Sequence, residues 1–457
     1  MTFIPFPYQE TTIQKMEEFG GRAILALDPG LGKTGCSLEA LVRNPHWLPA
    51  LVICPASIKY QWQMEASSKF GMQSSVCEGE KPPRQGFAPN TPLTIINYDI
   101  LQYWKDHLKA QNYKTIILDE TQTLGNPRTI RTRTVRDLSH KIKNRFALSG
   151  TPLTQRTKEL FPLLQIMWPE HYKSFFSYAQ DYCSPRLRFG RWDYSQSRNT
   201  DLLHKELIQR GMIRYRKADV LQDLPEKVRL ILPCKLSQPE VYREAQNDFM
   251  VYLMKHKAHK LRTASKAEKL FQMGELLRLT TRLKLRAVID WCNGFLESSD
   301  EKLVLMAIHH KAIDIFRQER YIKTRSVVIN GDVSKKGRKQ AVDQFQHDSK
   351  TRLFIGNIQS AGIGLDGLQK AASTMAIVEL PWRPADLYQI ESRLERIGQN
   401  EKTFVYYLIA NDTIEEKVCR ILQEKQKIVS SVLDGGDCAD DFNIYDAVLQ
   451  EFEKGFH

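Results

Sequence analysis

A turn of the form Gly30-Leu31-Gly32-Lys33-Thr34 follows an apolar run at residues 23–27 and the dipeptide Asp28-Pro29, and its residue types suit phosphate handling. Glycines between a strand and a helix let backbone N–H groups approach an anion; a following lysine neutralises β/γ charge and a hydroxyl ligates Mg²⁺. Gly30, Gly32, Lys33 and Thr34 fit those roles for ATP and Mg²⁺, although Leu27 stands where the general G-x-x-x-x-G-K-[ST] pattern has its first glycine. A second feature is the acid pair Asp119-Glu120, which follows the apolar run at residues 115–118. One carboxylate of such a pair holds Mg²⁺ while the other orients or deprotonates the attacking water. A third is Arg393 and Arg396, three apart, which on a helix share one face and reach one anion. Arginines so placed stabilise charge developing on a transferred phosphoryl group. Alone, an R-x-x-R would be read as a surface helix paired with Glu391 and Glu395; with a phosphate loop several hundred residues earlier, it suggests a second lobe closing on the same nucleotide.

The elements that must position these groups are legible as a rhythm. Short β-type runs at residues 23–27, 51–54, 93–97, 115–118 and 145–148 alternate with helical or polar stretches, and the pattern returns at 302–307, 326–329, 352–355, 374–380 and 403–409. That is the signature of parallel sheets with crossover helices, whose ligands bind outside the carboxyl ends of the strands. The expected fold is α/β, with two RecA-like parallel-sheet lobes of the P-loop NTPase kind and helical insertions between them. The divisions expected are an ATP-binding lobe at 1–154, helical insertions and linker at 155–289, a second lobe at 290–435 and a tail at 436–457.

Composition narrows the partner. A net charge of +13 and a pI near 9.2 on 457 residues favour a polyanion over a small neutral ligand. The eight cysteines show no C-x-x-C pair, so they read as reduced thiols. No apolar run reaches membrane-spanning length and the N-terminus has no signal-peptide pattern, so a soluble chain without membrane partners is expected. His309 and His310 read as a polar strand end rather than a metal site.

These motifs, taken in order, resemble the Swi/Snf-type family of superfamily-two helicase-like, DNA-stimulated ATPases, and within it the annealing-helicase branch. Pro7-Tyr8-Gln9 resembles the adenine-reading segment, residues 28–34 motif I, Cys54-Pro55-Ala56-Ser57 with Trp62 motif Ia, and 119–122 motif II. Asn97-Tyr98-Asp99 stands where that family has its next DNA-side segment, and Leu148-Ser149-Gly150-Thr151-Pro152 resembles motif III. Residues 303–311, 360–365 and 389–399 resemble motifs IV, V and VI, with Trp382 and Pro384 preceding the last. The resemblance implies that Gln9 reads the base, that Thr34 and Asp119 hold Mg²⁺, and that Glu120, Asp119, Arg393 and Arg396 serve hydrolysis. It also implies that Ser57, Lys59, Asn97, Arg156 and Ser360 grip a DNA backbone, with a basic stretch at 255–269 as a further track. Departures are Gln122 in place of a usual histidine, Asp366 in place of a frequent asparagine after motif V, and Gln155 in place of an asparagine after motif III. A carboxylate at 366 would repel phosphate unless it pairs with a base.

The function expected is an ATP-dependent double-stranded DNA translocase that remodels branched or protein-bound DNA by fork regression or strand annealing, with sequence-tolerant, salt-sensitive binding. The alternatives are a strand-separating helicase, an ATP-gated DNA-binding scaffold, and a motor subunit whose specificity comes from a protein partner. The motor is expected to be monomeric and to work in the cytoplasm of a bacterium or virus-infected cell, or in the nucleus if the source is eukaryotic.

Overall fold

The computed structural model describes residues 3–82, 91–188, 190–257, 264–319, 322, 324–331, 333–358 and 366–436. Two compact units divide the chain: residues 1–223 with 427–438, and residues 224–426 with 439–457.

In the first unit the strands are β1 (Arg22–Leu27), β2 (Ala50–Cys54), β3 (Ser74–Val76), β4 (Leu93–Asn97), β5 (Thr115–Asp119) and β6 (Asn144–Leu148). The short antiparallel pair β7 (Arg186–Arg188) and β8 (Arg191–Asp193) follows, and then β9 (Met212–Tyr215). Seven of these form a parallel sheet in the order β3-β4-β2-β5-β6-β1-β9. The central strands are apolar on both faces because helices cover both. Ala50, Val52 and Cys54 pack on one side, Leu51 and Ile53 on the other. The helices used below are α1 (Pro7–Glu18), α2 (Lys33–Arg43), α3 (Lys59–Phe70), α4 (Leu101–Lys109), α5 (Ile130–Ser139) and α6 (Phe161–Met167). Pro7 opens α1, where its fixed φ fits and its missing N–H costs nothing. Thr129 caps α5 by accepting from the Thr132 N–H.

The second unit repeats the plan with β10 (Lys227–Cys234), β11 (Leu303–Ala307), β12 (Ser326–Ile329), β13 (Leu353–Asn357), β14 (Thr374–Ile377) and β15 (Thr403–Ala410), ordered β10-β15-β14-β11-β13-β12. All its neighbouring strands run parallel. Its core again has two faces, Val304 and Met306 on one, Leu303, Leu305 and Ala307 on the other. Both lobes expected from the strand rhythm are present.

The middle of the chain is distributed differently from the expected 155–289 insertion. It supplies β9 to the first sheet and β10 to the second, and the unit boundary falls after Asp223. Both are edge strands with short apolar runs beside charged residues, which is why the segment reads as polar and helical. Residues 427–434, the end of the helix Ile414–Asp434, belong to the first unit, where Val429, Val432 and Leu433 share a core with Leu203 and Leu207.

Candidate active site

The turn at residues 28–32 joins β1 to α2, and Gly32 takes the left-handed conformation as the residue before the helix. A side chain at Gly32 would collide with the amide of Gln9, which donates to the Leu31 carbonyl at 3.2 Å and accepts from the Phe6 N–H at 2.9 Å. Gln9 on α1 therefore lies against the phosphate loop. The entrance to the loop is fixed by a carboxylate. Buried Asp28 accepts from Arg214 Nη1 at 2.6 Å and from the Lys217 N–H at 2.9 Å, while Arg214 Nε donates to Asp434 at 2.7 Å. Sequence reasoning missed Arg214, because nothing marks a residue 186 positions away as a partner of the loop.

Lys33 begins α2, and its ammonium donates to the carbonyls of Leu27 at 2.7 Å and Asp28 at 3.3 Å. Burial lowers its pKa, against the opposing charges of Glu120, Asp119 and Asp28. Asp119 ends β5, two strands from β1 in the same sheet. Burial, then the adjacent Glu120 charge, pushes its carboxyl up to about 7, despite the hydrogen bond from Trp62 and the nearby Lys33. A buried carboxylate raised in this way is relieved by a cation, so Asp119 and Thr34 at the start of α2 fit a hard, oxygen-preferring ion such as Mg²⁺. Among the described residues no cluster of three or more His, Cys, Asp and Glu side chains offers a separate metal site.

The acid box is wired to neighbouring segments. Trp62 Nε1 on α3 donates to Asp119 Oδ2 at 2.8 Å, and the Tyr98 hydroxyl donates to the Asp119 carbonyl at 2.8 Å. Glu120 is held in the left-handed region at φ 53°. Its carboxylate accepts from Gln122 Nε2 at 2.6 Å, Gln122 Oε1 accepts from the Ser149 hydroxyl at 2.7 Å, and Ser149 Oγ accepts from the Thr151 N–H at 3.0 Å. Gln122 thus links the acid box to motif III, using an amide that donates at one end and accepts at the other, as a neutral imidazole does. Gly150 closes the circuit. A Cβ there would meet Pro29 Cδ at 2.8 Å, so only glycine lets motif III lie against the phosphate loop.

The remaining expected residues lie as follows. Ser57 follows β2, Asn97 ends β4 and Arg156 follows β6, all at the carboxyl edge of the first sheet. Asn97 is buried and its amide donates to Asp99 at 3.2 Å, while Ser57 and Arg156 are half-buried. Lys59 turns inward, and its ammonium donates to the Cys77 carbonyl at 2.7 Å, a structural post rather than a surface cation. Ser360 lies outside the described residues, as do the side chains of the basic stretch at 255–269.

In the second unit, Arg393 and Arg396 do not share a helical face. The helix stops at Glu391, and both arginines sit in the turns that follow. The cause is Glu391, fully buried and gripped by Arg229 at 2.6 Å, by Lys227 at 3.2 Å and by the Tyr407 hydroxyl, which pins the helix end. Burial raises this carboxyl, but the charges of Arg229 and Lys227 outweigh it and hold the group down at about 2. Glu395 pairs with Lys227 at 2.7 Å, so the two glutamates that would have made an ordinary paired helix are engaged by β10. Arg396 Nη1 meets Asp366 Oδ1 at 2.9 Å, which answers the departure after motif V: the extra carboxylate is paired with a base. His309 is likewise a structural group at the end of β11, hydrogen-bonded through its ring to buried Glu379, which also accepts from the Ile308 N–H at 2.6 Å and from Thr281 Oγ1 at 2.9 Å.

Comparison with known proteins identifies the family. The SNF2-related domain model matches residues 8–290, more than half of the chain, and the helicase conserved C-terminal domain model matches residues 284–398. Among curated proteins, the chain is 30% identical over 434 residues to a SWI/SNF-related matrix-associated actin-dependent regulator of chromatin subfamily A-like protein 1 homolog of Caenorhabditis elegans, covering 93% of this chain and 61% of that protein. It is 30% identical over 446 residues to the DNA annealing helicase and endonuclease ZRANB3 of Homo sapiens, covering 94% of this chain and 40% of that protein. The chain thus spans 61% and 40% of the length of these two relatives. A solved Sulfolobus solfataricus SWI2/SNF2 ATPase core in complex with dsDNA aligns over 99% of this chain and 97% of its own, at 23% identity and a TM-score of 0.45. With its phosphate loop, acid box and motif III drawn together at one sheet edge, and a second parallel-sheet unit carrying the helicase C-terminal pattern, the chain belongs to the SNF2-related family.

Proposed function

We propose that this chain is an ATP-dependent double-stranded DNA translocase that remodels branched or protein-bound DNA. The observation that carries the reading is the wiring of the acid box. Asp119 and Glu120 share hydrogen bonds with Trp62 and, through Gln122, with Ser149, so the groups that act on water and metal are joined to segments at the edge where nucleic acid is expected. In this reading Gln9 and the loop Gly30, Gly32 and Lys33 bind ATP, and Thr34 with Asp119 would hold Mg²⁺, which neutralises charge on the β- and γ-phosphates when bound. Glu120 orients the attacking water and accepts its proton, while Arg393 and Arg396 stabilise charge on the transferred group. Ser57, Asn97 and Arg156 contribute to a backbone grip that positions without reading sequence. The relatives named for DNA annealing and chromatin regulation support this substrate class.

Triplex displacement tests it. The purified chain should release a third strand from a duplex in an ATP-dependent manner while failing to separate the duplex itself. Separation of the duplex with a trap strand present would instead favour the strand-separating helicase, and release without ATP turnover would remove the motor reading.

A further inference from the structure

The first unit carries a second strongly basic surface that the nucleotide site and the expected DNA grip do not use. On α5, Arg133, Arg136 and His140 recur at helical spacing and are exposed, while Val135 and Leu138 face the core. Lys105 and Lys109 stand four apart on α4. Arg133, Arg136, His140, Lys105 and Lys173 line a groove of about 760 Å³ between α4, α5 and α6. Its one carboxylate among the described residues, Asp137, is bridged by Lys105 and by Lys109 at 2.8 Å, which hold its carboxyl down at about 2. That acid is already neutralised. Arg133 and Lys173 make no ion pair among the described residues, and Arg136 donates only to Gln165, at 2.9 Å.

The row continues away from the ATP edge. α5 leaves the carboxyl end of β5 and returns to the amino end of β6, so Lys141 and Lys143, just before Asn144, lie at the opposite edge of the sheet from the phosphate loop. With Lys114 and Glu17 they line a second groove of about 550 Å³. Ser57, Asn97 and Arg156 lie at the carboxyl edge and line neither groove, so the band is distinct from the expected grip.

Resting on the proposed translocase reading, we propose that the α4–α5 face binds the phosphate backbone of a second duplex arm, so that the chain holds two arms of a branched DNA at once. The chemistry favours nucleic acid over a protein. A protein interface draws its affinity from desolvated apolar and aromatic anchors, and among the described residues this groove offers only Ile130 and Pro169. A band of cations crossing from one sheet edge to the other suits an extended polyanion whose bound counterions it displaces.

The test uses the full chain with the triple variant Arg133→Glu, Arg136→Glu, Lys173→Glu, and a charge-keeping control Arg133→Lys, Arg136→Lys. Binding to a four-way junction and to a short linear duplex is measured across salt, alongside ATP hydrolysis stimulated by the same short duplex. The charge-reversed chain should bind the junction about 10- to 100-fold more weakly, with the slope of log K against log salt reduced by about 0.9 for each phosphate that is no longer neutralised. Its duplex-stimulated hydrolysis should stay within about twofold of the parent, which also shows that it is folded, and the lysine control should keep junction binding. Unchanged junction affinity and slope would overturn the proposal and leave the face to an acidic protein or to solvent. An equal loss on the short duplex would overturn it too, by placing the face in the motor's own track. Failure of the translocase reading is distinguishable, because the parent chain itself would then show no duplex stimulation.

Discussion

The two units share a parallel-sheet plan but differ in how they hold the buried acid at their centre, Asp119 in the first and Glu391 in the second. In the first unit, buried Asp28, Asp119 and Ser149 all sit at the carboxyl edge of the sheet: Asp28 is paired with Arg214, whereas Asp119 accepts from the neutral indole of Trp62 and Ser149 donates to Gln122. In the second, the buried ionised groups bind one another: Glu391 with Arg229 and Lys227, Lys284 with Glu415 at 2.6 Å, with Ala410 N–H and Leu408 carbonyl completing the latter. The first arrangement leaves a carboxylate with its proton affinity raised, ready for a cation. The second spends its charges on fixing the framework from which Arg393 and Arg396 project. A paired buried charge costs little while its partner stays, and a great deal when one partner is removed.

That contrast predicts distinct kinds of damage. Lys33→Ala should abolish ATP turnover while leaving nucleotide-free DNA binding largely intact, as read by steady-state hydrolysis and a DNA-binding titration. Arg396→Ala should lower kcat by about 10³-fold with ATP affinity little changed, the pattern for a group that acts on the transition state; an unchanged rate would erase the role given to the second unit. Glu391→Ala should destabilise the second unit by about 3–5 kcal/mol, because it leaves Arg229 buried without its partner, and denaturant unfolding followed through the aromatic residues of that unit checks it. The same group sets a pH dependence. Its folded pKa of about 2 lies below the reference 4.5, so its contribution is fully present above pH 4.5 and is lost as pH falls towards 2.

Smaller effects separate the wiring from the chemistry. Gln122→Ala removes a bond to a carboxylate of the kind worth about 1.5–3 kcal/mol, and should cut DNA stimulation of hydrolysis by about tenfold while sparing the unstimulated rate. Equal loss of both rates would make Gln122 part of the chemistry itself. Asp366→Asn releases Arg396 from an ion pair whose carboxylate side chain is 62% exposed. A pair so open to solvent is worth about 0.5–1 kcal/mol, so kcat should rise only about two- to fivefold.

Much of this was legible in the sequence because local pattern carries it. Every expected strand formed, since five-residue apolar runs bounded by turns leave few alternatives in a buried parallel sheet. Lys33, Asp119 and Glu120 came together because strand ends in such a sheet gather at one edge, and Gln9 joins them through its hydrogen bond from α1 to the Leu31 carbonyl. What pattern did not reveal depends on distant partners. Arg214 is invisible as the clamp on Asp28, Lys59 reads as a surface cation although its amine caps the Cys77 carbonyl, and the helix before Arg393 ends where buried Glu391 meets β10. β9 and β10 escaped for the same reason, as edge strands whose place is set by the neighbour they pair with.

The most direct test of the central claim is steady-state ATP hydrolysis at low salt with no nucleic acid, single-stranded DNA, duplex DNA, forked DNA and duplex RNA in parallel. The wiring of the acid box to the nucleic-acid edge predicts turnover stimulated by duplex or forked DNA well above single strands. Equal turnover with and without every nucleic acid would contradict it.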